Sequence, residues 1–497
     1  MKLLSGEQMR AWDEFTIAHE PISSLDLMER AATKCTGWIL SKKLPFESIK
    51  IFCGKGNNGG DGLAIARQLA EKNILSDVYI LEFGSLGSPD FQVNLSRLHS
   101  FSANVHFIQH PDFFPLINAN DLVVDALFGS GLNRPLEGLS ELLVKHINLA
   151  AATVISIDIP TGLFADKPTI NTSVINANYT LTFQQLKFCF LFPENEQFIG
   201  DVAIIDIGLH TGFTPVGNTI YELVDKKLIE HIYKPRKQFS HKGTYGHALM
   251  IAGEKGKMGA AILSTKGCLH SGVGLVTSLV PEHQFSIIQT AVPEAMVIAQ
   301  ELTEAIEWSK YATVGIGPGI GTDVDGAGLL QEVLTHFNKP IVVDADGLNI
   351  LAANQELLLE LPPGSILSPH PKEFERLFGK TENHLERIHT ARYQSQRLFV
   401  YIIVKGHYSF VACPDGEIYF NTTGNAGMAT GGSGDVLTGI LTGLTAQGYS
   451  AKEACILGMY LHGLSADIAI QSLSQEALIA GDIVEYIGKA FLSISTK

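Results

Sequence analysis

Along the chain, short apolar runs give way to glycine-bearing turns, and the turns lead into longer stretches whose apolar residues return every three or four positions. That alternation is the signature of an α/β architecture with parallel strands and crossover helices. In the first half the runs predict strands at Lys50–Cys53, Val78–Phe83, Asp121–Leu127, Val154–Ile159, Tyr179–Phe183 and Val202–Ile207, preceded by helices at Glu7–His19 and Leu25–Ser41. In the second half they predict strands at His247–Ala252, Leu275–Val280, Thr313–Ile316, Ile341–Asp344, Ile366–Ser368 and Phe399–Val404. A hairpin at Phe410–Asn421, turning on Pro414-Asp415-Gly416, follows. Helices then fill the C-terminal stretch, after Gly432, at Ala451–Gln471 and at Ala480–Leu492. Between Leu209 and Tyr245 the rhythm weakens, which marks the domain boundary. Domains at 1–222 and 223–497 are expected, with no fixed-period repeat relating them.

Composition narrows the classes. The chain has 497 residues, of which 45% are hydrophobic and 18% charged, enough to fill more than one core. Its net charge of −15 is spread over two acidic halves, which argues against a nucleic-acid binder needing a basic face. The basic cluster Lys234, Arg236, Lys237 and Lys242 reads as a solvated linker. Six scattered cysteines show no metal-ligand spacing, and the N-terminus resembles neither a signal nor an anchor. A cytoplasmic protein that self-associates, with small-molecule substrates and no nucleic-acid or membrane partner, is expected.

The first glycine cluster, Gly54-Lys-Gly-Asn-Asn-Gly-Gly-Asp-Gly62, sits between a strand and the helical Leu63–Lys72. A strand, a glycine turn and a helix N-terminus together expose backbone N–H groups to an anion. The glycine spacing matches neither GxGxxG nor GxxxxGK[ST], which disfavours an ordinary dinucleotide-dependent dehydrogenase. Two further strand ends carry Asp125 before Gly129-Ser-Gly131 and Asp158 before Pro160-Thr161-Gly162. Asn58, Asp125, Asp158 and Thr161 thus bring oxygen groups suited to a hard cation and one acid/base, although each aspartate taken singly serves equally well as a helix cap.

These motifs, GKGNNGGDG, DALFGSGLNRP and DIPTG, with LMERAA and TLTFQQLK, resemble the NAD(P)H-hydrate epimerase (YjeF N-terminal) family over residues 1 to 222. The resemblance implies a Rossmann-like α/β/α domain. It implies substrate binding by Asn57, Asn58, Gly59, Gly60 and Asp61, by Gly129, Ser130, Gly131, Leu132, Asn133, Arg134 and Pro135, and by Asp158, which is also the implied catalytic group. It further implies K+ held by Asn58, Asp125 and Thr161. Threonine stands where the family usually has serine and retains the hydroxyl.

In the second half, Gly315-Ile-Gly-Pro-Gly-Ile-Gly321, Asp344-Ala-Asp346 and Ser368-Pro-His370 also end strands. Asn425-Ala-Gly-Met-Ala-Thr-Gly-Gly-Ser-Gly-Asp435 leads directly into a helix. A glycine run at a helix start builds an anion hole for a phosphoryl group in transfer, with Asp435 beside it as a base. Together with SHKGTYG, GAAIL, SPHPKEF and VKGHYS, these motifs resemble the ADP-dependent NAD(P)H-hydrate dehydratases, a ribokinase-like α/β/α branch, over residues 223 to 497. That implies hydrate binding by Ala260 or Ala261, Gly319, His370 and Asp435, with Asp435 catalytic. It implies ADP binding by Lys405, Gly406, His407, Tyr408, Ser409 and Gly434, and Mg2+ with the nucleotide. Glu254 replaces the family's usual serine and is expected to alter only local turn contacts.

The expectation is a bifunctional repair enzyme, an isomerase and a lyase, acting on nicotinamide cofactors hydrated at C6. Its rivals are a ribokinase-like vitamin or sugar kinase and a non-catalytic binding scaffold in the first half.

Overall fold

The computed structural model describes all residues except 102, 103, 216, 218, 496 and 497. Two of the exceptions, 216 and 218, fall inside the expected boundary region. The chain divides into two compact units, Leu3–Thr219 with Asn383–Leu385, and Met1–Lys2 with Ile220–Glu382 and Glu386–Lys497.

The first unit is built on a seven-stranded, wholly parallel sheet. Its strands are β1 (Ser48–Cys53), β2 (Asp77–Leu81), β3 (Asn104–Ile108), β4 (Asp121–Ala126), β5 (Thr153–Ile157), β6 (Tyr179–Phe183) and β7 (Asp201–Ile205), in the order β3-β2-β1-β4-β5-β6-β7. The chain reverses direction across the sheet between β1 and β4, the crevice where open α/β sheets bind ligands. Buried residues cover both faces of the sheet, with α1 (Gly6–His19), α2 (Ser24–Ser41) and α3 (Asn57–Glu71) contributing to one of them.

α3 begins earlier than the sequence pattern predicts. Asn57–Asp61 is its first turn, where a loop was expected. None of the glycines from Gly54 to Gly62 has a positive φ. They are required by close approach instead: a Cβ at Gly59 would collide with the carbonyl of Gly54, and one at Gly62 would lie 2.7 Å from both Ala126 Cβ and Cys53 Sγ. The helix start is thereby pressed against the ends of β1 and β4.

The second unit has ten strands: β8 (Tyr221–Val224), β9 (His247–Ile251), β10 (Leu275–Val280), β11 (Met296–Ala299), β12 (Thr313–Ile316), β13 (Ile341–Val343), β14 (Ile366–Leu367), β15 (Tyr401–Val404), β16 (Phe410–Ala412) and β17 (Ile418–Asn421). Their order is β11-β10-β9-β12-β13-β14-β15-β16-β17-β8. Only β16 runs antiparallel to its neighbours. The helix Ser433–Ala446 packs on the helix Met258–His270 through small residues; a Cβ at Gly439 would strike the carbonyl of Ser264, and one at Gly267 would lie 2.6 Å from that of Val436. This close crossing fixes where the glycine-rich N-terminus of Ser433–Ala446 points.

Three strands escaped the sequence pattern: β3, β8 and β11, each at a sheet edge. The segment read as a weak linker holds β8 and the helix Lys226–Ile232. Its basic residues are tied to the second unit, Lys234 to Glu453 at 2.9 Å and Arg236 over the Tyr245 ring at 4.2 Å. Among the described residues no helix is long and apolar enough to cross a membrane.

Candidate functional site

In the first unit the carboxyl ends of β1, β4 and β5, three adjacent strands, bring the expected residues together. Asp125 is fully buried at the end of β4. Its Oδ1 accepts from Thr161 Oγ1 (2.7 Å) and the Leu127 N–H (3.3 Å), and its Oδ2 accepts from Ser156 Oγ (2.8 Å) and the Thr161 N–H (2.9 Å). Burial raises its pKa, and these four donors oppose the rise. The Thr161 hydroxyl also accepts from the Phe128 N–H at 3.0 Å, which carries the cluster to the Gly129 loop.

Asn58 differs from its neighbours: its side-chain oxygen and nitrogen are both buried without a hydrogen-bond partner. Orphaned buried amides are costly, so this one marks a place for a ligand. A buried oxygen beside a buried carboxylate and a threonine fits a hard monovalent cation. Asn58 is the open member of the set, while Asp125 contributes chiefly its charge.

Asp158 adopts a left-handed backbone, φ +64°, strained for a residue with a Cβ. Its Oδ1 is 3.1 Å from Lys187 Nζ and its Oδ2 accepts from the Ser130 N–H at 3.1 Å. Lys187 is 3% exposed and donates also to the Phe183 carbonyl at 2.9 Å. Burial pushes the Asp158 carboxyl up, but Lys187 and Ser130 outweigh it and hold the pKa below the ordinary value. A Cβ at Gly129 would sit 3.3 Å from both Asn58 Cγ and Asp158 Oδ2, so the loop passes directly over the two. Its farther part, Gly131 to Pro135, turns outward through a Leu132 N–H bond to the Gly129 carbonyl (3.2 Å), and the Asn133 carbonyl accepts from Lys167 (2.9 Å).

Sequence reasoning assigned no role to Lys187, although it ends the motif TLTFQQLK. Nothing local distinguishes a lysine after a strand, and only the turn from β6 swings it under Asp158.

In the second unit the ends of β9, β12, β13, β14 and β15, five successive strands, face the start of Ser433–Ala446. This helix begins three residues before the predicted Val436, so Gly434 and Asp435 occupy its first turn after Gly432, φ +89°. Backbone N–H groups there have no helical partners. Asp435 titrates at about 6, raised first by burial and then by Asp344, with Lys405 opposing. Lys405, expected at the ADP site, is paired: its Nζ lies 2.6 Å from Asp344 Oδ1. The other oxygen of Asp344 accepts from Thr438 Oγ1 at 2.6 Å, tying β13 to the helix. A Cβ at Gly434 would lie 3.2 Å from Lys405 Nζ and 3.7 Å from Asp344 Oδ2.

His370 caps the helix Pro371–Phe378, its Nδ1 accepting from the N–H groups of Lys372 (3.1 Å) and Glu373 (3.4 Å). Burial and then Lys405 lower its pKa, so the ring is neutral. Gly319 has φ +66°, and a Cβ there would come within 3.2 Å of Ala260, whereas Ala261 packs toward Gly253. Gly406 and Ser409 close a turn on each other (Gly406 N–H to Ser409 Oγ, 3.1 Å), with the rings of His407 and Tyr408 edge to face. Glu254 does more than shape its turn: Lys257 bridges it at 2.8 Å to Asp346 at 3.4 Å, and Asp346 accepts from the Gly321 N–H.

A family model described as YjeF-related protein N-terminus matches residues 24–189, and one described as NAD(P)H-hydrate dehydratase matches residues 248–489. A bifunctional NAD(P)H-hydrate repair enzyme of Moorella thermoacetica is 33% identical, the alignment covering 98% of this chain and 96% of that protein. The chain belongs to the bifunctional NAD(P)H-hydrate repair enzyme family. The repair enzyme of Escherichia coli is 34% identical over 87% of this chain and 83% of its own. Among solved structures, an ADP/ATP-dependent NAD(P)H-hydrate dehydratase from Bacillus subtilis, co-crystallised with ATP/Mg2+, is 28% identical with a TM-score of 0.50, covering 55% of this chain and 99% of that one. The protein is therefore a repair enzyme with an epimerase and a dehydratase domain, and the reading as a kinase fused to a scaffold falls.

Proposed function

We propose that the first unit interconverts the R and S hydrates of NADH and NADPH at the Asp158 site, and that the second removes water from the S hydrate at the Asp435 site at the expense of ADP. Substrate phosphate and sugar lie against the first turn of α3, Asn57–Asp61, and the loop Gly129–Pro135. Asp158, kept ionised by Lys187, accepts a proton from the hydrate. Asn58, Asp125 and Thr161 hold K+, which offsets the charge of nearby substrate phosphates.

In the second unit the hydrate lies against Ala260, Gly319 and His370, and the nucleotide against Lys405–Ser409 and Gly434. Asp435 takes the C6 hydroxyl proton, the oxygen bonds to the β-phosphorus of ADP, and AMP leaves. The ring nitrogen lone pair then expels phosphate from C6, and loss of a C5 proton restores the double bond of NAD(P)H. The free N–H groups at the helix start stabilise the charge on the phosphoryl oxygens. Mg2+ bound with the nucleotide would neutralise phosphate charge that the helix start alone cannot.

The observation that carries this reading is the placing of Asp435, basic near neutrality, in an open helix turn beside the Lys405–Asp344 pair. Purified protein incubated with mixed R and S hydrates should restore reduced-nicotinamide absorbance from both epimers with ADP present and from neither without it. Full recovery lacking ADP, or recovery of only half with it, would overturn one activity or the other. Self-association and a cytoplasmic setting complete the proposal.

A further inference from the structure

Three carboxyl groups in the N-terminal site share two cations, Lys187 and Arg10, of which only Lys187 is paired with one of them. Lys187 is committed to Asp158 at 3.1 Å. Asp61, in the first turn of α3, is buried and lies within electrostatic reach of Asp158 and Asp13; Asp13, on α1, lies within reach of Asp158 and Lys187. Neither the Asp13 nor the Asp61 carboxyl receives a hydrogen bond from any described residue.

The helix that carries Asp13 is seated on the substrate loop. Gly6, Arg10 and Asp13 fall at i, i+4 and i+7, one face of α1. The Gly6 N–H donates to Asp166 at 2.8 Å, and a Cβ at Gly6 would lie 3.4 Å from the Ser130 carbonyl. A Cβ at Gly131 would lie 3.4 Å from the Arg10 guanidinium. That face of α1 therefore flanks Gly129–Gly131, the loop whose Ser130 N–H holds Asp158.

Lys187 is committed to Asp158, and Arg10 offsets the burial of Asp13 only in part, so burial and mutual repulsion favour a proton on Asp61 and on Asp13. Asp158 is the ionised member. Burial, then Asp158 and Asp13, push Asp61 far above the carboxylate range, where it keeps its proton. Asp13 is pushed up to about 7, by burial first and then by Asp158, with Glu14 adding to the rise and Lys187 and Arg10 opposing it. Of the three it alone changes state near neutrality.

We propose that Asp13 is a second catalytic residue of the epimerase, giving a proton to the hydrate while Asp158, positioned by Lys187, receives one. This rests on the reading of the first unit as the epimerase. Protonated Asp13 delivers its proton to the C6 hydroxyl oxygen, the C6–O bond breaks as the N1 lone pair forms a C6–N1 π bond, and water departs. Water then adds to the other face of C6, the proton it sheds passes to Asp158, and exchange with solvent takes that proton from Asp158 and returns one to Asp13, so that both groups regain their starting states. No oxidant or further reactant is consumed.

The test uses the full-length chain without ADP, so that dehydration is idle, with R and S hydrates separated by chromatography. Asp13→Asn should lower kcat for interconversion by about 10²-fold at little change in KM, the usual scale for a lost general acid. The wild-type rate should decline above about pH 7 as Asp13 ionises, and Asp13→Asn should remove that decline. Asp13→Glu should restore part of the rate. Dehydration of S hydrate, measured separately with ADP, should equal wild type in both variants. A rate for Asp13→Asn within threefold of wild type, an unchanged alkaline limb, or a loss confined to KM would each overturn the proposal. Failure of the wild type itself to interconvert the epimers would instead overturn the epimerase reading.

Discussion

Both units place an aspartate and a lysine at the carboxyl edge of a parallel sheet, under a glycine-rich helix start, yet the pairing is opposite. In the first unit the lysine is spent on the aspartate proposed to react: Lys187 holds Asp158 ionised and lowers its pKa. In the second the lysine is spent on a neighbour: Lys405 binds Asp344, and Asp435, left beside an aspartate, titrates at about 6. A base that must take a proton from a hydroxyl gains from a pKa near the working pH. A carboxylate that must be ionised before it can receive a proton gains from a fixed cation. The same strand-end scaffold is thus tuned by which carboxylate the lysine touches.

The largest test of that contrast is a pair of isosteric changes. Asp435→Asn should slow dehydration by about 10²-fold or more with ADP affinity within a few-fold of wild type, and Asp158→Asn should do the same to epimerisation while sparing dehydration. Kinetics on separated hydrates checks both. If Asp435→Asn lost ADP affinity but kept its turnover at saturating ADP, Asp435 would not be the base.

Lys187→Met should make the first site resemble the second. Without its cation the Asp158 carboxyl rises, and because Asp158 must be ionised to accept a proton, the acid limb of the epimerase pH profile should move upward toward that of dehydration, which falls about tenfold per pH unit below about 6. Removing one partner of a buried pair should also cost about 3–5 kcal/mol in stability, read by thermal or denaturant unfolding. An acid limb that stayed in place would show that Lys187 does not set the state of Asp158.

A smaller effect is expected from Gly434→Val, whose branched side chain would enter the space 3.2 Å from Lys405 Nζ. ADP binding should weaken by about tenfold, the equivalent of roughly 1.4 kcal/mol, in titration calorimetry. Epimerisation should be untouched. Smallest of all, replacing K+ with Li+ should slow epimerisation a few-fold and leave the rate-pH profile of dehydration unmoved. An epimerase rate indifferent to exhaustive removal of K+ and Na+ would mean that the orphaned Asn58 amide serves the substrate alone.

The hydrophobic pattern determined the architecture: β6, β10 and β12, short mainly apolar runs buried along most of their length, fall where that pattern puts them. It missed β3, β8 and β11 because an edge strand is covered on fewer sides; β3 exposes Asn104 and His106, and no apolar run announces it. The motif glycines were legible as a cluster, but their cause was not. Close packing of the start of α3 on Cys53 and Gly54 just before it and on Ala126 of β4 requires them, and the contact with Ala126 joins segments far apart in the chain. In the same way the residues Asn58, Asp125, Asp158, Thr161 and Asp435 stood out beside glycine turns, where local composition marks them. Lys187, Asp13 and Thr438 carry no such mark, and Asp344 was legible only as the end of a strand. Their meaning lies in which carboxylate each one reaches, and a distance of a few ångströms between side chains from different strands exists only once the sheet has ordered them. Charge state follows from that proximity and from burial, so tertiary structure alone decided which aspartate is ionised and which waits for a proton.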